Sequence, residues 1–502
     1  MGREELMINE RKRKIEELRK VGINPYPYSY DKKETFMELQ EKYKKLKNEE
    51  KSKEKTSTAG RVMMIRDMGR IAFLQLQDTQ GKIQAVIQEG ETPEEVKKLV
   101  KKYVDTGDFL GIKGPLFRTK RGELSVMVQE ATILGKSILP LPEKWHGLKD
   151  KEERYRRRYL DLMMNPEVKE VFIKREKIIE SIRKTMKEKG FHEVETPYLQ
   201  TVYGGAEARP FKTHLNALNI DLFLSISPEL YLKRLIVGGF EKVFTIARNF
   251  RNEGIDRSHN PEFSMMEIYQ AYADYNDMMS LTEELYENAC ITANGTTTVK
   301  INDKEISFKK PWKRMTMAEA IKKHAKIDVM KSSVEELKKI ISKERIESKG
   351  NTWGYYVMAL FEHYCEDKII QPTFITDHPK ESTPLCKAHR KDKSGKIIER
   401  FEPFCIGMEL ANAYSELNDP AEQRKLLEEQ QKKLTSGDEE ANPMDEDFIN
   451  AIEVGMPPTG GLGIGIDRMM ILLTEQESIR DVIAFPFMKP EVREEVKSKE
   501  KG

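Results

Sequence analysis

From Phe250 to Tyr275 the chain reads FRNEGIDRSHNPEFSMMEIYQAYADY, and this stretch limits the possible folds more than any other. A strand sends alternate side chains to opposite faces, so Phe263, Met265, Glu267 and Tyr269 fall on one face and Ser264, Met266 and Ile268 on the other. One face reads as core. The other offers an aromatic plate, a carboxylate and a phenol, and a carboxylate between Met and Tyr needs a cationic partner. On the preceding strand Arg251 and Glu253 lie beyond the apolar Phe244 and Ile246. The hairpin thus makes a floor with an arginine at one end and a carboxylate with a phenol at the other. Taken in isolation it could also be a salt-bridged surface.

A chain of 502 residues exceeds one compact core and suggests two or three domains. Lys and Arg number 86 against 84 Asp and Glu, a formal charge of +2, so nucleic-acid binding would have to come from local patches. Cys290, Cys365, Cys386 and Cys405 show no zinc-type spacing and read as reduced thiols; Cys386 with His389 supplies only two ligands. The first residues lack the apolar run of a signal peptide, and no stretch reaches membrane-spanning length, so a cytoplasmic protein is expected. The NGT sequon at Asn294 is then idle.

Along the chain, a surface helix is expected up to about Lys20, ending near Gly22, and NPYPYSY forbids its continuation. Residues Lys42 to Lys55 alternate Lys and Glu and read as a solvated helix face or linker. At Thr58 the pattern changes to short alternating stretches broken by Gly69, by Asp78 to Gly81 and by Arg121-Gly122, which suggests a small barrel. Two prolines and the basic RYRRRY then mark a boundary; the basic run reads as a solvated helix face or a phosphate-facing surface. Beyond it Phe172, Ile179, Ile182 and Met186 follow helical spacing up to Gly190, and FHEVETPYL is strand-like until Pro197. With strands expected from Val243 to Ala273 and from about Phe404 to Leu417, and a helix starting at Asp419-Pro420, the second part reads as an antiparallel sheet with helices, an α+β arrangement.

Two further constellations carry chemistry. In ERFEPFCIGMELANAYSELND, Asn412, Tyr414 and Glu416 share a strand face, whereas Glu402 and Glu409 have opposite parity and converge only if Gly407 breaks the strand or they lie on different segments. Paired carboxylates near a phosphate-binding arginine suit a hard divalent ion, usually magnesium. In GGLGIGIDRMMILL the glycine spacing is wrong for a dinucleotide site, and the better reading is a close-packed strand and helix that hold Arg468 at a phosphate. The acids of TSGDEEANPMDEDF match no cation loop and read as a solvated loop.

GFHEVETPYL, FRNEG through HNPEFSMMEIY, and GLGIGIDR, in this order behind a small barrel, resemble the three motifs of the class II aminoacyl-tRNA synthetases, and within them the bacterial-type lysyl-tRNA synthetases. The resemblance implies a five-stranded OB-fold barrel over residues 58–142, a linker over 143–170 and a catalytic domain over 171–490, with an N-terminal extension (1–57) and a charged tail (491–502). It implies a homodimer formed through the first motif, and ATP, L-lysine and tRNA(Lys) as substrates, with two or three magnesium ions accompanying ATP. Arg251 would hold the α-phosphate and the amino-acid carboxylate, Glu253 and His259 would position ATP, and Phe263 would stack on adenine. Arg468, beside Gly465, would contact the γ-phosphate, and Glu402 and Glu409 would hold magnesium. Glu229 and the Gly205 backbone match groups around the α-amine, Asn412 one near the carboxylate, and Glu416 with Tyr269 the pair around the ε-ammonium; Glu267 belongs to the same pocket. Tyr414 stands where many relatives have Phe. In the barrel, Arg66, Phe73, Gln84 and Glu123 match positions that read a uridine-rich anticodon.

The residues support this on their own chemistry. Free lysine carries two ammonium groups and one carboxylate, so its pocket should hold more acids than bases, as Glu229, Glu267 and Glu416 against Arg251 do. An aspartate or asparagine enzyme of the same fold would invert that balance. A ligase that lysylates a protein would have no use for an anticodon-reading barrel. A non-catalytic RNA-binding relative would not require Arg251, Arg468, Glu402 and Glu409 together.

Overall fold

The computed structural model describes residues 2–142, 148 and 150–491. The chain divides into two compact units, Met1–Lys149 and Asp150–Gly502.

In the first unit α1 (Arg3–Lys20) and α2 (Phe36–Lys42) precede β1 (Lys51–Asp67), β2 (Ile71–Gln77) and β3 (Lys82–Gln88). Then come α3 (Glu94–Tyr103), β4 (Phe109–Arg118), β5 (Leu124–Met127) and β6 (Glu130–Gly135). The strand order β1-β2-β3-β5-β4, with β1 also paired to β4, closes the sheet into the expected barrel, and β6 adds a sixth strand on β4. Closure removes the exposed edges of an open sheet. Leu74, Leu76, Ile112, Leu116 and Val126 fill the interior, and the alternate residues of β2 face outward.

Two expectations are corrected here. The Lys/Glu-rich stretch is not a helix or linker as far as Lys55, because β1 already begins at Lys51 and pairs with β4 there. The helix α3, with Val96, Val100 and Tyr103 buried along one face, was missed among the strands.

The second unit opens with α4 (Lys151–Arg156), α5 (Arg158–Met164) and α6 (Pro166–Glu188). The expected linker 143–170 is therefore helical from Lys151, while residues 143–147 and 149 lie outside the described residues. Arg158 of the basic run is not solvated. It is buried, pairs with Asp161 at 2.6 Å and donates to the carbonyls of Arg480 and Ala484.

Next come β7 (His192–Glu193), β8 (Leu199–Gln200), β9 (Lys212–Leu215), β10 (Ile220–Leu224), α7 (Glu229–Val237), β11 (Lys242–Phe250), β12 (Glu262–Ala271) and α8 (Tyr275–Asn294). β13 (Thr298–Ile301), β14 (Lys304–Ser307), β15 (Lys313–Thr316), α9 (Met317–Ala325), α10 (Val334–Glu344) and α11 (Trp353–Tyr364) follow. The chain continues through β16 (Thr373–Thr376), β17 (Arg400–Cys405), β18 (Met408–Glu409), β19 (Ala411–Ser415), α12 (Pro420–Thr435), α13 (Glu446–Val454), β20 (Thr459–Gly465) and α14 (Ile466–Leu473).

The central sheet runs β15-β16-β17-β19-β20-β12-β11-β7 and is antiparallel except at its two ends, β15 on β16 and β7 on β11. Its core face carries Met266, Ile268, Ala413, Leu462 and Ile464 against α6, α8 and α14. Each such side chain contributes roughly 1.5–3 kcal/mol by leaving water. The single strand expected from Phe404 to Leu417 is instead three. Ile406 (φ 51°) and Gly407 (φ 67°) reverse the chain so that β18 folds back on β17.

Candidate active site

A cavity of about 530 Å³ opens over the other face of the sheet, and the alternation of β12 supplies its floor. Phe263, Met265, Glu267 and Tyr269 line it, as period two predicts, while Met266 and Ile268 turn into the core. The structure brings Gly205, Glu229, Arg251, Glu253, His259, Glu402, Glu409, Asn412, Tyr414, Glu416, Gly465 and Arg468 to the same cavity.

The inner end is acidic and buried. Glu229, Glu267 and Glu416 are all buried. Ser227 Oγ donates to Glu267 Oε1 at 2.7 Å and the Tyr269 hydroxyl donates to Glu267 Oε2 at 3.2 Å. Burial, then the nearby Glu229 charge, pushes the Glu267 carboxyl up to about 8, against the pull of Ser227 and Tyr269. Burial likewise raises Glu416, although Lys233 opposes it. Glycine is required where β20 passes beneath. A Cβ on Gly461 would lie 1.8 Å from Glu416 Oε1 and 2.7 Å from Tyr269 Cε1. A Cβ on Gly205, which has φ 85°, would lie 2.8 Å from the Glu229 Cβ.

Arg251 stands between the two ends. Its guanidinium lies 5.1 Å from the Phe263 ring centroid, its Nε is buried without a partner, and Nη2 makes one long bond, 3.5 Å, to the Ile226 carbonyl. A guanidinium with five donors and so few acceptors is built for an anion.

The outer end is half-exposed and already paired. Asp467, buried at the start of α14, accepts from Arg175 at 2.6 Å and from the Ser264 amide at 2.6 Å, which fixes the helix that carries Arg468. Arg468 then pairs with Glu409 at 3.1 Å and approaches His259 Nε2 at 3.3 Å, while Asp256 holds His259 Nδ1 at 2.8 Å. Glu402 pairs with Arg400, which also donates to Asn412 Oδ1 at 3.0 Å. Asn412 in turn donates to the Tyr414 hydroxyl at 2.6 Å, giving that hydroxyl a defined partner.

Glu402 and Glu409 converge because Gly407 breaks the strand. Among the described residues no three or more His, Cys, Asp or Glu side chains form a metal cluster. Two carboxylates fit magnesium, which takes one or two of them and completes its shell with substrate phosphates and water. Cys386 and His389 form no site, and all four cysteines are free and buried.

Sequence reasoning missed several residues here. Arg400 and Lys349 line the cavity, and Lys233 lies just behind its wall. Asn442 corrects the expectation of a wholly solvated acidic loop: it is buried, lines the cavity, and neither side-chain polar atom has a partner. The spacing of Glu229 and Lys233 was a readable signal, since residues four apart on a helix pair. Nothing in the sequence marked Asn442.

On the barrel, Arg66 lies opposite Phe73 across β1 and β2. Gln84 and Glu123 line a second concavity of about 330 Å³ with Gln75 and Lys82. The four residues thus lie on the outer side of the sheet.

Residues 150–489 match the family of class II tRNA synthetases (D, K and N), and residues 56–134 match an OB-fold nucleic acid binding domain. The chain belongs to the class II tRNA synthetases of this group. A lysine–tRNA ligase 2 of Methanosarcina mazei is 52% identical over 472 residues, covering 94% of this chain and 92% of its own length. The lysine–tRNA ligase of Thermotoga maritima is 49% identical over 494 residues, 98% of each chain, and that of Clostridium novyi is 49% identical over 490, 96% of this chain and 94% of its own. No helix among the described residues is long and apolar enough to cross a membrane.

Proposed function

We propose that this chain activates L-lysine with ATP, giving lysyl-adenylate and pyrophosphate, and transfers lysine to the 3′-hydroxyl of the terminal adenosine of tRNA(Lys). The observation that carries this reading is the set of three buried carboxylates, Glu229, Glu267 and Glu416, at one end of a cavity whose middle holds the underpaired Arg251. Buried charges of one sign are costly unless a ligand of the other sign meets them. A diamino acid does so, while an aspartate side chain would add to the excess. The names of the relatives agree.

In this reading Glu229 and the Gly205 backbone receive the α-amine, Asn412 lies near the carboxylate, and Glu267, Tyr269 and Glu416 surround the ε-ammonium, with Tyr414 in the same pocket. Arg251 aligns the lysine carboxylate with the α-phosphorus for in-line attack and stabilises the charge that develops there. Phe263 supports the adenine, Glu253 and His259 help position ATP, and Arg468, carried past Gly465, meets the γ-phosphate. Glu402 and Glu409 would hold magnesium, which supplies charge neutralisation on the phosphates and pyrophosphate. Arg400 and Arg468 pair with these two acids and hold them at the cavity. No side chain acts as a covalent nucleophile.

The division that accompanies this reading is an N-terminal extension, an anticodon-binding barrel in which Arg66, Phe73, Gln84 and Glu123 meet the bases, and a catalytic unit that dimerises through the segment after α6 in the cytoplasm. The test is ATP–pyrophosphate exchange with purified protein and magnesium, offering lysine, aspartate or asparagine without tRNA. Exchange with lysine alone supports the reading. Exchange with aspartate or asparagine, or with none, overturns it.

A further inference from the structure

Behind the acidic end of the cavity lies a cation that the reaction itself does not use. Lys233 follows Glu229 by one turn of α7, its side chain is fully buried, and it is not among the residues that line the cavity. Its Nζ lies 2.6 Å from Glu229 Oε1 and pairs with Glu416 Oε2 beyond the end of β19. Its remaining side faces the Phe448 ring of α13, 5.8 Å from the centroid. Burial pulls the ammonium toward neutrality, but Glu229 and Glu416 outweigh it and hold it charged. One oxygen of each carboxylate is thus turned back toward Lys233. On the other side Glu416 Oε1 lies over Gly461, which itself lines the cavity.

The charges then balance in a specific way. Once a bound cation has drawn all three carboxyls into their ionised form, three carboxylates less one resident ammonium leave two negative charges, the number of ammonium groups on a free diamino acid, and Arg251 meets its carboxylate. We propose that Lys233 is a specificity-determining positioning residue, which sets the charge of the amine-binding end to what a diamino acid neutralises and aims Glu229 and Glu416 at that acid's two ammonium groups. This inference rests on the lysine reading above.

Without this cation the three acids repel one another more strongly, and they hold their protons to higher pH. The other groups facing them are Tyr269, Tyr414, Cys386 and Arg251, of which only Arg251 carries a compensating charge. A protonated carboxyl cannot pair with an ammonium. Lysine affinity should therefore fall at neutral pH and recover as the pH rises.

The experiment is ATP–pyrophosphate exchange from pH 6 to 9.5 for wild type, Lys233→Met and Lys233→Arg. For K233M the KM for lysine should rise at least tenfold at pH 7 while kcat and the KM for ATP change less than threefold. The acidic limb of 1/KM for lysine should move up by one pH unit or more, and in K233R, which keeps the charge, it should stay in place. An unmoved limb in K233M, or a loss confined to kcat, overturns the inference. If K233M does not fold, K233R decides: a wild-type limb supports the inference and a displaced one overturns it. A wild type that does not exchange with lysine overturns the lysine reading itself, whereas an active wild type beside an unaffected K233M overturns only the role of Lys233.

Discussion

The two ends of the cavity are built from the same residue types in opposite physical states. At the outer end Glu402 and Glu409 are half-exposed, and each has an arginine. At the inner end Glu229, Glu267 and Glu416 are buried, only Glu229 and Glu416 share a lysine, and Glu267 and Glu416 are pushed upward by burial. Acids that each have their own resident cation suit a task in which a metal and phosphates come and go. Acids whose ionisation is costly until a cation arrives suit discrimination, because an uncharged competitor leaves that cost unmet.

Arg251 joins the two ends, so its loss should have the largest effect. Arg251→Ala should lower lysine-dependent pyrophosphate exchange by about 10²–10³-fold or more, as for removal of a donor aimed at developing charge; near-normal exchange would remove Arg251 from the reaction. Gly461→Ala breaks the inner end alone. The added methyl group occupies the space of Glu416 Oε1, so the lysine KM should rise by roughly 10–100-fold, of the order a displaced group in such a pocket costs, with the ATP KM unchanged. Parallel losses in both constants would mean that the ends are not separable.

A third region lies outside the cavity. Phe73→Ala should weaken tRNA charging by about 1–3 kcal/mol for each base it stacks and leave lysine activation intact, as read by aminoacylation and exchange on one preparation.

The smallest effect is on stability, and it sharpens the contrast between the ends. The Glu267 carboxyl is raised from 4.5 to about 8, so between those values the folded, unliganded protein binds more protons than the unfolded chain. That group's contribution is present below pH 4.5 and declines as the pH rises to about 8. Glu267→Gln should therefore melt about 2–4 °C higher than wild type at pH 9 while losing lysine activation. A lower melting temperature in scanning calorimetry at pH 9 would contradict the account of this carboxyl.

Much of this was legible in the sequence where the signal is local. The β12 floor followed from period two, the convergence of Glu402 and Glu409 from the one glycine that could break their strand, and the placement of Arg468 from the Gly-rich entry into α14. What was not legible depends on partners distant in the chain. Arg158 resembled its basic neighbours, and only the carbonyls of Arg480 and Ala484 bury it. Lys233 resembled a surface ion pair of α7 until β19 and α13 closed over it. Asn442 lay in an acidic loop with no periodicity, and its burial comes from packing of the loop against the Gly204 turn.

The central claim is that the inner end selects its substrate by a second ammonium. The most direct measurement is kcat/KM for pyrophosphate exchange with lysine and with norleucine, which keeps the four-carbon side chain and lacks that ammonium. The account predicts a preference for lysine of about 10⁴-fold or more, as expected where a site's buried polar groups lose their partner. A ratio within tenfold of unity would contradict it.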